Sequence, residues 1–592
     1  MSLATRNTAS RNAYQISPWR ISLFGVALIA LVVALCGRIA LLQVWPNYER
    51  GFAFLQAQGE ARTNRTIDIP APRGMILDRE GRPLAVSTPV VSVWADPALM
   101  GLTDIEIAEL AEVLDIPEDM LSLKLKDESG NRFVYIKRGM VPSVREELAH
   151  YIGRGVYLME EYRRYYPAAE VTSQVVGFTN IDERGQEGVE LSLDAMLRGT
   201  SGSQLVVRDL NGRAVESAEI IEPASPGGDV SLTLDSRLQY VAYRELKEAV
   251  TAHGATSGSL VTMDVESGEI LAMVSQPAFN PNNRADIQPA SVRNRVLTDL
   301  FEPGSTIKAF TLLAALESGR YRPETIVDTS PGRMTVDDKL IYDPVNYGEL
   351  SLAEILAKSS QMGTAKIALD LNPDQLPQLL QRVGLGELPG IGFPGEASGS
   401  VPQRYEWEPI EQATLSYGYG LAVSPVQLAS AYAVLGNGGF RVTPTLYKDA
   451  PKIAPERVAD EGLADDVLQM LRGVVETGTA KLAAAPSYDV AGKTGTTHLI
   501  GEAGYEAHKY SAVFAGLAPA EDPKIVTVVV IQDPQTDAYS GGLVAAPVFS
   551  ATAEETLRIL GVTPSAATSN NAFQVGQIEE SDIKNTLVEA QN

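Results

Sequence analysis

Phe301-Glu302-Pro303-Gly304-Ser305-Thr306-Ile307-Lys308-Ala309-Phe310 is the stretch on which the reading of this chain turns. Pro303 and Gly304 are turn residues. Beyond them Ile307, Phe310, Leu313 and Ala314 repeat at helix spacing, and Gly319 is a C-terminal stop. The spacing predicts a helix that opens at Ser305, with Lys308 one turn on along the same face. A serine hydroxyl is a weak nucleophile until a base takes its proton. A lysine within hydrogen-bond reach serves as that base when burial and neighbours hold it neutral part of the time. The helix N-terminus favours negative charge developing at the serine. Alone, the pattern is weak. Ser581-Asp582-Ile583-Lys584 repeats it in a polar tail, and an N-cap serine with a solvated lysine gives the same string.

Two further blocks change its weight. One is Ala491-Gly492-Lys493-Thr494-Gly495-Thr496-Thr497. On an edge strand, Lys-Thr-Gly offers a cation and a hydroxyl to a substrate carboxylate, and the glycine lets a ligand come close to the backbone. The other, lying between, is Lys358-Ser359-Ser360-Gln361-Met362-Gly363. Ser-x-x-Lys, then Ser-x-amide, then Lys-Thr-Gly is the signature order of penicillin-recognising serine acyl transferases.

On these residues the chain resembles a class B penicillin-binding protein, most closely the division-specific, FtsI-like peptidoglycan D,D-transpeptidases. The resemblance runs from the N-terminal apolar stretch to about residue 562. It takes in Arg73-Gly74-Met75-Ile76-Leu77-Asp78-Arg79, Arg163-Arg164-Tyr165-Tyr166-Pro167 and Gly185-Gln186-Glu187-Gly188-Val189-Glu190. The family's middle motif usually ends in Asn; here Gln361 holds that place, one methylene further out.

The resemblance implies an α+β multidomain chain. A single transmembrane helix leads to a mixed α/β pedestal, followed by a penicillin-binding transpeptidase domain, an antiparallel sheet with flanking helices. Ser305 is then the nucleophile, Lys308 its base and Ser359 the proton carrier. Gln361, Lys493, Thr494, Gly495 and Thr496 hold the substrate. The implied substrates are peptidoglycan stem peptides, the inhibitors β-lactams, and the partners a membrane-embedded septal glycosyltransferase and other division proteins. No metal or organic cofactor is implied. Two other classes stay open: a D,D-carboxypeptidase or β-lactamase, which passes the acyl group to water, and a non-catalytic β-lactam-binding division scaffold.

Outward from the motifs, 592 residues suggest two or three domains. Apolar content of 45% and charged content of 21% fit a globular chain with a real core. A net charge of −25 argues against nucleic-acid binding through a basic surface. Cys36 is the only cysteine, so no intrachain disulfide forms. His150, His253, His498 and His508 are scattered without metal-ligand spacing.

Residues 1–20 carry Arg6, Arg11 and Arg20 and no acids, which puts this tail in the cytoplasm. Residues 21–45 form the membrane span, interrupted by Arg38 and bracketed by Trp19 and Trp45. No small-x-small cleavage site follows the apolar core, and Leu35 precedes Cys36 where a lipoprotein signal has a small residue. The reading is an uncleaved single-pass anchor of the inner membrane, with the catalytic domain in the periplasm at the division site.

Residues 46–230 form the pedestal. Thr103 to Leu114 and Val144 to Ile152 read as helices, and Met75 to Leu77 and Phe133 to Ile136 as strands. Arg73, Asp78, Arg79, Arg163, Glu187 and Glu190 are expected to make ion pairs and turns that hold this module against the next. Pro223 to Gly228 marks the boundary. Residues 231–562 form the transpeptidase domain. It contains a hairpin around Glu266-Ser267-Gly268, a helix over Leu352 to Leu371 that carries Ser359, and strands on either side of Glu521-Asp522-Pro523. Residues 563–592 are polar and poor in aromatics, a disordered tail by composition.

Overall fold

The computed structural model describes residues 17–44, 51–127, 131–208, 214–501 and 504–565. The expectations for Arg6, Arg11, Trp45 and nearly all of the tail lie outside these residues.

Helix α1, Pro18–Gln43, has 26 residues and none of them is buried. At 1.5 Å per residue it is about 39 Å long, more than the roughly 30 Å hydrocarbon core of a bilayer. It is long and apolar enough to cross a membrane.

The pedestal is built on β1 (Ile76–Leu77) and β2 (Pro83–Ala95), then α2 (Asp104–Val113), β3 (Val134–Met140), β4 (Val156–Tyr165) and β5 (Val230–Ser231). Strand β2 is central. It pairs antiparallel with β1, β3 and β4, and β5 joins β1 in parallel. Helix α2 starts where the sequence places it, because Thr103 and Glu106 form a capping box. Its Leu110 packs with Val91, Val93, Ile136 and Val156 of the strands in a small separate core. The second expected helix is shorter, Val144–Leu148.

Behind the sheet lies a buried ion network. Glu190, fully buried, takes Arg73 Nε and Arg164 Nε at 2.6 Å each. Arg73 also reaches Asp194 at 2.7 Å. The ion-pairing arginine is Arg164 and not the expected Arg163, because side chains alternate along a strand and β4 turns Arg164 inward and Arg163 out. Asp78 and Arg79 have another task, at the junction. The Asp78 carboxylate accepts from Ser236 Oγ at 2.6 Å, and Arg79 pairs with Glu269 at 3.3 Å.

The second domain has one five-stranded sheet. Its sheet and main packing helices are α3 (Ser236–Ala252), β6 (Ser257–Asp264), β7 (Ile270–Gln276), α4 (Lys308–Glu317), α5 (Leu352–Ala357), α6 (Gln361–Asp370), α7 (Pro425–Gly436), α8 (Glu461–Glu476), β8 (Ala491–Gly501), β9 (Gly504–Ala518), β10 (Ile525–Gln532) and α9 (Gly541–Ile559). The strand order is β7-β6-β10-β9-β8, antiparallel throughout, with β8 at an edge. Strands β6 and β10 are buried residue after residue, as expected of strands covered on both faces. Helices α3 and α9 cover one face, where Phe514 of β9 meets Phe549 of α9. Helices α4, α7 and α8 form the other layer, where Phe310 meets Tyr432 edge-on. Nine of the ten residues of α4 are buried, so it is a central helix, enclosed on every side.

Two local expectations are corrected. Ser305 lies in a 3-10 turn, Gly304–Ile307, and the α-helix begins at Lys308. Leu352 to Leu371 is two helices, α5 and α6, and Ser359 sits in the break between them.

Candidate active site

The Ser305 turn is held by its approach to other backbone. Gly304 has φ +55, and its N–H donates to Gly418 O at 3.2 Å. A Cβ on Gly304 would stand 2.6 Å from the Thr497 methyl, and one on Gly495 would stand 2.6 Å from Pro303 O. Strand β8 therefore lies directly against the turn that carries the serine. Thr497 Oγ1 fixes the approach by donating to Glu302 O at 3.1 Å. Lys308, the first residue of α4, is fully buried.

The second motif arrives through a helix cap. Ser360 N–H donates to Ile355 O and Ser359 N–H to Leu356 O, the two bonds of a Schellman motif. The residue between cap and break must adopt a left-handed conformation, and Ser359 does so, with φ +56. That conformation is normally glycine's. It aims Ser359 at Lys308, whose Nζ donates to Ser359 O and, at 3.1 Å, to Ser359 Oγ.

Asp343 pins the other side of the break. Its buried carboxylate accepts from Ser360 Oγ at 2.5 Å, Gln361 N at 2.6 Å and Met362 N at 3.2 Å. Gln361 is thereby fixed as the first residue of α6. No motif reveals Asp343, since it lies 18 residues from Gln361.

In the third motif Lys493 is fully buried and its Nζ lies 3.2 Å from both Thr494 O and Thr494 Oγ1. Thr494 Oγ1 meets Thr479 Oγ1 at 3.2 Å, and Thr479 N–H donates to Ala357 O at the end of α5. Thr479, which no motif marks either, links the second motif to the third. Thr496 Oγ1 accepts the N–H of Gly541 at 3.0 Å. At Gly495 a Cβ would also meet the Thr306 methyl at 3.2 Å, so the strand lies tight against the turn there.

Glu302, next to the turn, is buried, and its carboxylate accepts from Gly420 N at 2.8 Å and from the Tyr505 hydroxyl at 3.0 and 3.1 Å. Burial raises its carboxyl above the ordinary range, opposed by those hydrogen bonds. Burial, then the neighbouring Glu302, pushes the Tyr419 phenol up to about 12. Among the described residues no cluster of three or more His, Cys, Asp or Glu could hold a metal ion.

Fold and site together define the class: a serine acyl transferase of the penicillin-binding type, carried on a pedestal. Comparison with known proteins agrees. The penicillin binding protein transpeptidase domain matches residues 258–554, and the penicillin-binding protein dimerisation domain matches residues 68–232. The chain is 40% identical to the peptidoglycan D,D-transpeptidase FtsI of Escherichia coli over 570 residues, 95% of each chain. It is 41% identical over 533 residues to the probable peptidoglycan D,D-transpeptidase PbpC of Pseudomonas aeruginosa, covering 90% of this chain and 94% of that one. It superposes on penicillin binding protein 3 of Mycobacterium tuberculosis, solved with aztreonam, with TM-score 0.66 and 26% identity, over 84% of this chain and 98% of that one. The chain belongs to the class B penicillin-binding proteins of the FtsI-like D,D-transpeptidase type.

Proposed function

We propose that the chain cross-links peptidoglycan stem peptides at the division septum through an acyl-enzyme on Ser305. Ser305 Oγ attacks the carbonyl between the last two D-alanines while Lys308 takes its proton. Backbone N–H groups of Ser305 and Thr496 receive the oxyanion, where such donors are worth roughly 3–4 kcal/mol each. The C–N bond breaks, Ser359 passes a proton to the departing amine, and D-alanine leaves. An amine of a neighbouring stem then attacks the ester, forms the cross-link and frees Ser305. Gln361 holds the donor backbone, and Lys493, Thr494 and Thr496 take its terminal carboxylate. The observation that carries this reading is the buried Lys308, next to the serine turn and hydrogen-bonded to Ser359.

In the same reading residues 1–20 are cytoplasmic, 21–45 span the inner membrane, 46–230 are the pedestal and 231–562 the periplasmic transpeptidase domain. β-Lactams acylate Ser305. Likeness to proteins named FtsI supports the septal role, and a membrane-embedded glycosyltransferase is the partner that this reading calls for.

The test is covalent labelling of the detergent-solubilised chain with a fluorescent penicillin. A single adduct on the Ser305 peptide is expected, and none in Ser305→Ala. An adduct that survives the substitution, or none on folded wild type, overturns the nucleophile and favours the scaffold. A transfer assay with a stem-peptide amine separates cross-linking from hydrolysis.

A further inference from the structure

Helix α9 has 19 residues and begins at Gly541, and its N-cap residue, Ser540, makes no side-chain capping bond. The Ser540 hydroxyl is buried and unpartnered. A helix start leaves several N–H groups in need of acceptors, usually met by the N-cap side chain. Here the first N–H, on Gly541, goes instead to Thr496 Oγ1 on strand β8 at 3.0 Å. The contact exists because residue 541 is glycine. A Cβ there would lie 2.2 Å from Val513 O and 2.4 Å from Gly495 O, both backbone atoms that cannot step aside.

A hydroxyl has one proton to donate. With Gly541 N–H on the acceptor side of Oγ1, the Thr496 proton must point elsewhere. Among the described residues no hydrogen bond has the Thr496 hydroxyl as donor, and Thr496 is half-buried. The partial positive charge of the helix start stands directly behind that hydroxyl. We infer that Gly541 is a positioning residue: its N–H turns the Thr496 hydroxyl proton toward the substrate's terminal carboxylate, so the first turn of α9 sets the preference for an anionic terminus. This rests on the carboxylate role of Thr496 proposed above and adds the element that enforces it.

The test compares acylation of Ser305 by a D-alanyl thioester ending in a carboxylate and by its neutral amide counterpart, in the full-length protein. Gly541→Ala is expected to slow the carboxylate substrate at least about tenfold more than the amide. Combined with Thr496→Val, it should add nothing to the loss that Thr496→Val causes alone, since coupled residues are not additive. Equal slowing of both substrates, or additive losses in the double variant, overturns the inference. Should Gly541→Ala fail to fold, hydrogen exchange in the wild type decides. The Gly541 amide is expected to exchange more slowly after acylation by a carboxylate-bearing inhibitor than by a neutral one, and equal rates overturn the inference. Absence of any Ser305 adduct in the wild type would instead remove the function on which the inference rests.

Discussion

At the residue scale, Ser359 shows what the site costs the fold. A non-glycine residue in the left-handed region is disfavoured by about 1–2 kcal/mol, and such strain gathers at functional sites. Ser359→Gly is therefore expected to keep or raise thermal stability, by up to about 1 kcal/mol, while acylation falls as Lys308 loses its hydroxyl partner. Joint loss of stability and labelling would show that Ser359 serves the fold rather than the chemistry. Glu302 makes a second prediction. Its folded carboxyl lies above the unfolded value because it is buried. The folded state then binds the extra proton, so the group's favourable contribution is complete below the ordinary carboxylate pKa and is lost as pH rises through the raised value. Glu302→Gln, which keeps an oxygen for Gly420 and Tyr505, should match the wild-type melting temperature at pH 4 and exceed it at pH 7.5. A difference that does not change with pH would sink this account.

At the element scale, the parts with local patterns were legible in the sequence. The hairpin β6–β7 and the helix α2 follow from turn residues and from helix spacing. The break at Ser359 was not legible, because the left-handed position holds serine where glycine would have announced it. Asp343 and Thr479 were not legible either, because their meaning comes from partners brought near only by folding. Arg163 and Arg164 are not told apart by sequence, because an adjacent pair on a strand fixes its parity only once the register is known. Strand β8 makes the prediction at this scale. It reaches the serine turn only because Gly495 has no side chain, and Gly495→Ala would put a Cβ 2.6 Å from Pro303 O. Separating strand from turn should lower the penicillin acylation rate by about 100-fold, the kind of loss a 1 Å misplacement brings. The melting temperature should shift little, because β8 is an edge strand. Wild-type acylation in Gly495→Ala would mean the close approach is not needed for chemistry.

At the scale of the whole molecule, the two domains are held in different ways. One large apolar core fills the catalytic domain and runs on into the pedestal through Ile76, Leu84, Tyr166, Val176 and Val189. The pedestal has a small apolar core and, beside it, Glu190 gripped by Arg73 and Arg164, with almost no solvent access to any of the three. Such a network adds little compared with apolar packing, but removing one member leaves charges buried without a partner, at about 3–5 kcal/mol. Glu190→Gln keeps the shape and removes the only charge shared by both arginines. In a pedestal of this size a loss of that order should lower its melting transition by about 10 °C. Calorimetry is the suitable probe, since two domains need not unfold as one. The catalytic transition should move less, because Arg73 and Arg164 bond only to pedestal groups, while the broad junction, with Tyr166, Val176 and Val189 in the shared core and Gln174 bonded to Pro277 O, does not involve their charges. Penicillin labelling of Ser305 at 25 °C should survive, since no residue of the network touches the site. A pedestal transition unchanged in Glu190→Gln would show that the arginines find other partners. A parallel fall of both transitions would show that the network stabilises the junction as well as the pedestal.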